Sequence, residues 1–276
     1  MLLNCTSYLL NYIIQRNSFW QNFKNKLFNC ISPLIFAILK LIGDVNLKTL
    51  IIVSHPEINN SQTQQFLMQG AKLFDVTWHH VEELEKNDVD NEQKLLRDAD
   101  RIIFQFPLYW YAAPAGLKDW EDKVLTRNFI YGDGNDNLRD KEFGIVVSTG
   151  MPLKEFRRGG TENITIDQIM APLRAIADRA KMQSLPVFVI SQFQYLKEEQ
   201  QMQTLIDYQR YLTQKYPDTL DNRQEWFEQE FADRLKTFDE TNCTECETIL
   251  NTFIQQKEDL SQLKSTISLI KQGEDE

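Results

Sequence analysis

Short apolar runs and longer stretches with a helical repeat alternate along the central part of the chain. The apolar runs are rich in β-branched residues and are typical of strands that are covered on both faces. Between several of them, apolar positions recur three and four residues apart, which predicts helices with one buried face. Strands that alternate with helices at this spacing predict a parallel sheet in an α/β fold. The predicted strands are residues 48–54, 75–81, 101–106, 143–148 and 185–190.

The helices are predicted from the same repeat and from residues that favour helix ends. Ser61 is a suitable N-cap for a helix over 64–74. Pro114 suits the first turn of a helix that carries Trp120 on its apolar face. Further helices are predicted at 91–97, 166–181, 198–215 and 223–236.

The most informative stretch is 99–132, where a short strand leads into an aromatic turn and then a helix. Pro107 cannot donate to a sheet ladder, so the strand is expected to stop there. The turn that follows, 108–111, reads Leu-Tyr-Trp-Tyr. This order predicts a flat apolar surface at the carboxyl end of a strand, which is where ligands bind in open α/β sheets.

The loops that follow Ser54, Phe106 and Ser148 are expected to meet at one edge of the sheet. The first loop precedes a helix N-terminus, where backbone N–H groups and the hydroxyls of Ser61 and Thr63 could hold a phosphate. No GxGxxG follows the first strand, which argues against an ordinary NAD site, and the missing GxxxxGK[ST] excludes a P-loop. A phosphate loop of hydroxyl and amide side chains beside an aromatic loop instead suits a flavin.

Composition narrows the class of protein further. The 276 residues carry a formal net charge of −10, so the chain has no electrostatic footprint for nucleic acid. The four cysteines, at 5, 30, 243 and 246, lie outside the predicted sheet and favour a reducing cytoplasm over a disulfide framework. Cys243 and Cys246 lack the second ligand pair that a zinc site would need, so no metal site is expected.

The two ends of the chain differ from its body, which we expect to span 48–215. Residues 1–47 are expected to form a loosely ordered extension, and their longest apolar run, 31–43, is shorter than the roughly 20 residues that span a bilayer. Membrane association is therefore not expected. Residues 216–276 predict a helical extension with a heptad repeat. Such a helix packs either on its own domain or against a partner helix through 243–271.

Three blocks of this sequence resemble the flavodoxin-like NAD(P)H:quinone oxidoreductases, a family that includes ancillary quinone reductases of potassium-efflux systems and modulators of drug activity. The blocks are I-I-V-S-H-P-E…S-Q-T-Q, then Q-F-P-L-Y-W-Y…P…L-K-D-W-E-D-K-V…Y-G, then V-S-T-G. The middle block is the specific one. The resemblance covers about 48–195 and implies a doubly wound five-stranded parallel sheet in the order 2-1-3-4-5, a homodimer, and FMN or FAD as cofactor.

The resemblance also assigns residues to the flavin. It implies a phosphate site after the first strand, the ring edge at the aromatic turn, and the ring carbonyls and N5 at the loop after the fourth strand. The implied flavin-binding residues are His55, Ser61, Gln62, Thr63, Gln64, Pro107, Leu108, Tyr109, Trp110, Tyr111, Ser148, Thr149, Gly150 and Met151. Phe156 and Glu162 occupy the positions at which some members have a Tyr and a His that take up charge when hydride arrives, so this relay is either absent or rebuilt.

The implied function is an NAD(P)H dehydrogenase that passes hydride through FMN or FAD to a small quinone-like acceptor in the cytoplasm. The altered relay positions put quinone in doubt as the physiological acceptor. An alternative is a non-enzymatic flavin-binding regulator, or a partner-binding subunit of a transporter that uses the additional helices.

Overall fold

The computed structural model describes residues 47–83, 88–132, 134, 136–235 and 240–274. The expectations for the N-terminal extension therefore fall, apart from position 47, outside the described residues. Among the described residues, 47–216 form one compact unit, and those from 217 onward belong to a second unit.

Short strands and helices alternate through the first unit. Its strands are β1 (Thr49–Val53), β2 (Val76–His80), β3 (Arg101–Pro107), β4 (Glu142–Thr149), β5 (Gln183–Ser184) and β6 (Phe188–Ser191). Its α-helices are α1 (Gln62–Ala71), α2 (Val89–Asp98), α3 (Ala115–Val124), α4 (Arg127–Ile130), α5 (Ile166–Ile169), α6 (Ala171–Arg179) and α7 (Glu198–Thr213). The second unit contains α8 (Leu220–Leu235) and α9 (Glu240–Glu274).

The strands form one parallel sheet in the order β2-β1-β3-β4-β5, and β6 pairs with β4 beyond the end of β5. The predicted flavodoxin-like class and strand order are confirmed, with the fifth position shared by β5 and β6. The register places Val53 opposite Gln105 and Pro107 opposite Ser148. The carboxyl ends of β1, β3 and β4 therefore reach the same edge of the sheet.

Hydrophobic cores cover both faces of the sheet, which explains the continuous apolar runs in the sequence. On one face, Ile52 and Phe104 belong to a core with Trp120 of α3. The rings of Phe104 and Trp120 meet edge to face, with their centroids 5.7 Å apart. On the other face, Ile51 lies in a core with Tyr208 of α7. Because successive side chains of a strand point to opposite faces, the adjacent Ile51 and Ile52 contribute to different cores.

The predicted strand 185–190 differs most from the observed sheet, because it is divided into β5 and β6. Pro186 lies at the division and has no N–H to donate to the ladder. Tyr211 of α7 fills the break: its hydroxyl donates to the carbonyl of Pro186 at 2.8 Å and accepts from the N–H of Ile145 at 3.1 Å. A Cβ atom on Gly144 would lie 2.5 Å from this hydroxyl, so a glycine leaves the room that Tyr211 needs.

The predicted helix at 166–181 is also divided, into α5 and α6, which meet at Met170. Pro172 lies in the first turn of α6 and cannot donate to the preceding turn, so one continuous helix is disfavoured. The start of α1 agrees with its expected cap, since the Ser61 side chain accepts from the N–H of Gln64 at 3.3 Å.

In the second unit, α8 and α9 lie side by side in antiparallel directions. Lys257 of α9 pairs with Glu228 of α8 at 2.7 Å, and Lys264 pairs with Asp221 at 2.6 Å. From the first pair to the second, the residue number rises along α9 and falls along α8, so the two helices run antiparallel.

The predicted heptad repeat lies on α9 and is partly exposed. Leu263 is 59% exposed, Ile267 is 52% exposed and Ile270 is 56% exposed. A helical partner for this repeat stays a prediction. None of the helices that the structure describes is both long enough and apolar enough to cross a bilayer.

Candidate functional site

The loops that leave β1, β3 and β4 form one rim at the carboxyl edge of the sheet. The backbone N–H of Ser54 donates to the carbonyl of Gln105 at 3.0 Å, which joins the first loop to β3. The N–H of Leu108 donates to the carbonyl of Ser148 at 2.8 Å, which joins the aromatic turn to β4. Ligands of open α/β sheets bind outside these strand ends, so this rim is the candidate site.

A cavity of about 460 Å³ opens beside the N-terminus of α1. The side chain of Ser61 caps the helix, while the N–H groups of Gln62 and Thr63 have no acceptor within the first helical turn. Their partial positive charge makes this end of the cavity suitable for an anion. The lining residues are His55, Pro56, Glu57, Asn60, Ser61, Gln62, Thr63, Tyr109 and Gln194.

His55 lies at the end of β1 with a defined hydrogen-bonding arrangement. Its Nδ1 accepts from the N–H of Glu57 at 3.1 Å, which assigns the proton of the neutral ring to Nε2. Burial lowers the pKa of His55 below 6.5 and outweighs the opposing effect of the Glu82 charge. The ring is therefore mostly neutral at pH 7 and offers one N–H donor. It meets the ring of Tyr109 edge to face at 6.2 Å, so the first loop contacts the aromatic turn.

Glu82 contacts both the end of β1, from which the first loop leaves, and the start of α3, which follows the aromatic turn. It is not among the site residues predicted from the sequence. Its carboxylate accepts from the Ser54 hydroxyl at 2.5 Å and pairs with His80 at 2.9 Å. The same carboxylate lies against the start of α3, because a Cβ on Gly116 would come within 2.5 Å of it. Glu82 thus links the end of β1 to the helix that follows the aromatic turn. A glutamate after a strand carries no distinctive sequence signal, so only the fold reveals this role.

The aromatic turn has an unusual backbone. Tyr109 and Ala112 exchange two backbone hydrogen bonds of 3.0 Å, and the two residues between them, Trp110 and Tyr111, have φ angles of 48° and 60°. The left-handed conformation costs a residue with a Cβ atom about 1–2 kcal/mol. The turn projects Trp110 outward, where its side chain is 93% exposed. Strained backbone of this kind is typical of ligand sites.

Side chains of the sheet hold the start of the loop after β4. Thr149 Oγ1 accepts from the N–H of Met151 at 3.2 Å. Ser191 Oγ donates to the carbonyl of Met151 at 2.8 Å and accepts from the N–H of Leu153 at 3.0 Å. Gly150 and Met151 are exposed, whereas Ser148 and Thr149 are half-buried. This loop therefore presents both backbone and the Met151 side chain at the rim.

The two positions of the expected relay lie in different surroundings. Phe156 is buried in the core and offers no polar group to the rim. Glu162 lies near the surface, where its Oε2 accepts from the hydroxyl of Tyr111 at 2.6 Å. This hydrogen bond, together with the carboxylate charge, raises the pKa of the Tyr111 hydroxyl. Phe156 therefore does not take the part of the tyrosine that some family members have at this position.

Gln64 is not among the residues that line the cavity, because its N–H donates to the Ser61 side chain and its own side chain lies in the interior. The Gln64 side chain is almost completely buried, and its Oε1 accepts from Gln105 Nε2 at 2.7 Å. The hydroxyl of Tyr208 donates to the other end of the Gln105 amide at 2.7 Å. These buried hydrogen bonds connect the start of α1 to β3 and to α7.

The donors around the cavity fit a phosphate, and the exposed aromatic turn fits a flat ring. One carboxylate, that of Glu57, also lines the cavity, but it accepts from Asn60 Nδ2 at 3.1 Å. Among the residues that the structure describes, no group of three or more His, Cys, Asp or Glu side chains is arranged to hold a metal ion. A phosphorylated ring compound such as a flavin nucleotide matches this set of groups.

Comparison with known proteins assigns the chain to a family. Residues 47–212 match the model of the family described as having a flavodoxin-like fold, and the chain belongs to this family. The protein named uncharacterized NAD(P)H oxidoreductase YrkL, from Bacillus subtilis (strain 168), is 38% identical over 169 residues, which cover 59% of this chain and 97% of that protein. The resemblance drawn from the sequence blocks is thereby confirmed, and α8 and α9 lie outside the family match.

Two solved structures extend this comparison. An NADPH-quinone reductase from P. pentosaceus superposes with a TM-score of 0.59 at 44% identity, covering 62% of this chain and 100% of that one. General stress protein 14 from Treponema denticola, in complex with FMN, superposes with a TM-score of 0.56 at 29% identity, covering 60% and 97%. Of these relatives, one is named as an NAD(P)H oxidoreductase, one as an NADPH-quinone reductase, and the third, general stress protein 14, was solved with FMN.

Proposed function

We propose that this protein is an FMN-dependent NAD(P)H oxidoreductase that passes hydride to a small quinone-like acceptor. The observation that carries the proposal is the donor-lined cavity at the start of α1, next to an exposed aromatic turn on the same rim. The relative named as an NADPH-quinone reductase and the relative solved with FMN support the same assignment. FMN fits better than FAD as the first choice because the FMN complex is the one seen in a relative.

The residues of the rim have separate parts in this proposal. The FMN phosphate would accept hydrogen bonds from His55 Nε2 and from the N–H groups of Gln62 and Thr63. The ring would lie between the aromatic turn, 108–111, and the backbone of 148–151. When bound, FMN supplies the hydride chemistry, and the chain supplies binding, orientation and exclusion of water.

The proposal also covers assembly and cellular setting. A homodimer is the arrangement that the resemblance implies, and light scattering on the purified protein would measure it. The positions of the four cysteines indicate no disulfide framework, and the proposed co-substrate is NAD(P)H. Both points favour a cytoplasmic protein.

A comparison of FMN with riboflavin tests the two parts of the site separately, because riboflavin has the ring and lacks the phosphate. A hydrogen bond to a charged group contributes about 1.5–3 kcal/mol, so His55→Ala should weaken FMN binding by about 10- to 150-fold. The same variant should leave riboflavin binding unchanged. Trp110→Ala should weaken both flavins, by about tenfold. Tyr195→Phe, which removes only the hydroxyl of a residue that is 78% exposed, is the matched control.

The outcomes distinguish two questions: whether the protein binds FMN, and whether His55 contacts the phosphate of FMN. Equal losses of FMN and riboflavin in His55→Ala would remove His55 from the phosphate site. Failure of the unchanged protein to bind FMN would overturn the proposed function. Turnover of NADPH with menadione by the FMN-loaded protein then distinguishes an enzyme from a flavin-binding regulator, since a regulator would bind FMN without turnover.

A further inference from the structure

A hydrogen bond joins two loops of the rim that come from different strands. The hydroxyl of Tyr111, in the aromatic turn after β3, donates to Glu162 Oε2, in the loop after β4, at 2.6 Å. O–H···O⁻ bonds to a carboxylate are typically this short and are about twice as strong as bonds between neutral groups. Residues 51 positions apart are thus connected directly at the edge of the candidate site.

The Glu162 end of this bond is held in place by its own loop. The carboxylate of Glu155 accepts hydrogen bonds from the N–H and the hydroxyl of Thr161, at 3.1 and 2.7 Å. The backbone carbonyl of Glu155 accepts from the N–H of Glu162 at 3.3 Å. A Cβ on Gly160 would lie 2.3 Å from the carbonyl of Glu155, so the loop closes tightly at this glycine. Glu162 is therefore presented from a loop that is fixed by several contacts of its own.

The Tyr111 end is the strained one. Trp110 and Tyr111 are consecutive residues with positive φ, and each costs about 1–2 kcal/mol relative to an ordinary conformation. Trp110 is 93% exposed, so its own side chain buries little surface that could stabilise the turn. Neighbouring contacts therefore stabilise the turn, among them the backbone pair of Tyr109 with Ala112, the ring contact of Tyr109 with His55 and the bond from Tyr111 to Glu162.

We infer that Glu162 is a positioning residue, which acts through Tyr111 to hold the aromatic turn in the left-handed shape that presents Trp110 to a flat ring ligand. The inference rests on the proposed function for the identity of that ligand. Its structural part, the dependence of Trp110 on the Tyr111–Glu162 bond, is independent of any flavin. The position at which, by resemblance, some family members have a relay histidine thus has a mechanical role in this chain.

The variants that test this inference are Tyr111→Phe, Glu162→Ala, Glu162→Gln and the double variant Tyr111→Phe with Glu162→Ala. Both side chains lie near the surface, so the fold should tolerate each change. The first readout is ¹⁹F NMR of the ligand-free protein labelled with fluorotryptophan, with the Trp110 resonance assigned by Trp110→Phe. The second readout is the dissociation constant for FMN and for riboflavin.

We expect Tyr111→Phe and Glu162→Ala to shift or broaden the Trp110 resonance in the same way. Because the bond acts on the flavins only through Trp110, both should weaken FMN and riboflavin by about two- to tenfold, the upper limit being the loss expected for Trp110→Ala. The double variant should be no weaker than either single variant, since all three remove one interaction. Glu162→Gln, which keeps an acceptor oxygen, should retain most of the affinity, and Tyr195→Phe should match the unchanged protein.

An unchanged Trp110 resonance in both single variants, or fully additive losses in the double variant, would overturn the inference. If the unchanged protein binds neither flavin, the proposed function fails, and the Trp110 resonance alone then decides whether Glu162 holds the turn.

Discussion

Replacement of Tyr211 by phenylalanine should destabilise the first unit, because one hydroxyl completes the broken edge of the sheet. The hydroxyl donates to the carbonyl of Pro186 and accepts from the N–H of Ile145, as a continuous fifth strand would otherwise do. Burial raises the pKa of Tyr211, so the hydroxyl keeps its proton across the physiological range. Tyr211→Phe keeps the ring and removes only this oxygen.

The expected loss follows mainly from the N–H of Ile145, which stays in the core without its partner, because Pro186 lies at the surface, where water can replace the hydroxyl. An unsatisfied buried donor costs about 1–3 kcal/mol, so the variant should lower the free energy of unfolding by about 1–3 kcal/mol. A loss of about 2 kcal/mol corresponds to a fall in Tm of about 4–8 °C for a unit of this size.

Urea unfolding of the full chain measures the total loss, and hydrogen exchange measures it locally. The amide of Ile145 should exchange faster in Tyr211→Phe than in the unchanged protein, while amides of β1 should change less. Tyr195→Phe, at an exposed position, should stay within about 0.5 kcal/mol of the unchanged protein. A loss below about 0.5 kcal/mol in Tyr211→Phe, with unchanged exchange at Ile145, would refute this reasoning.

Two further predictions concern buried charges. Arg101 bonds Glu142 at 2.6 Å and the carbonyl of Gln214 at 2.7 Å, so Arg101→Met should cost about 3–5 kcal/mol in urea unfolding; a loss below about 1 kcal/mol would contradict this. Burial alone would raise the pKa of Glu92, but hydrogen bonds from His79 and Trp120 outweigh it and lower the pKa below 4.5. Its contribution is therefore present above pH 4.5 and lost as the pH falls through the folded value, and Glu92→Gln should flatten this acid dependence; an unchanged pH profile would contradict it.

The sequence predicted the parts of the fold that depend on local pattern. The continuous apolar run within 48–54 indicated a strand that is covered on both faces, and the two cores explain why. Pro107 marked the strand end from which the aromatic turn leaves, and Ser61 marked a helix start. These signals act over a few residues, so they can be recognised without the fold.

The features that the sequence did not predict depend on contacts between distant residues. The division of the fifth strand at Pro186 is tolerated because Tyr211 reaches it from α7. Glu82 is significant because the fold places it between Ser54 and the start of α3. Glu162 acquires its partner because the loops after β3 and β4 leave adjacent strands. No local spacing encodes these pairs.

The most direct test of the central claim is the response of the FMN-loaded protein to NAD(P)H in the absence of oxygen. If the rim holds FMN as proposed, the flavin co-elutes with the chain, its visible absorption bleaches on addition of NAD(P)H, and menadione restores it. FMN that separates from the protein on gel filtration, with no consumption of NAD(P)H, would contradict the account.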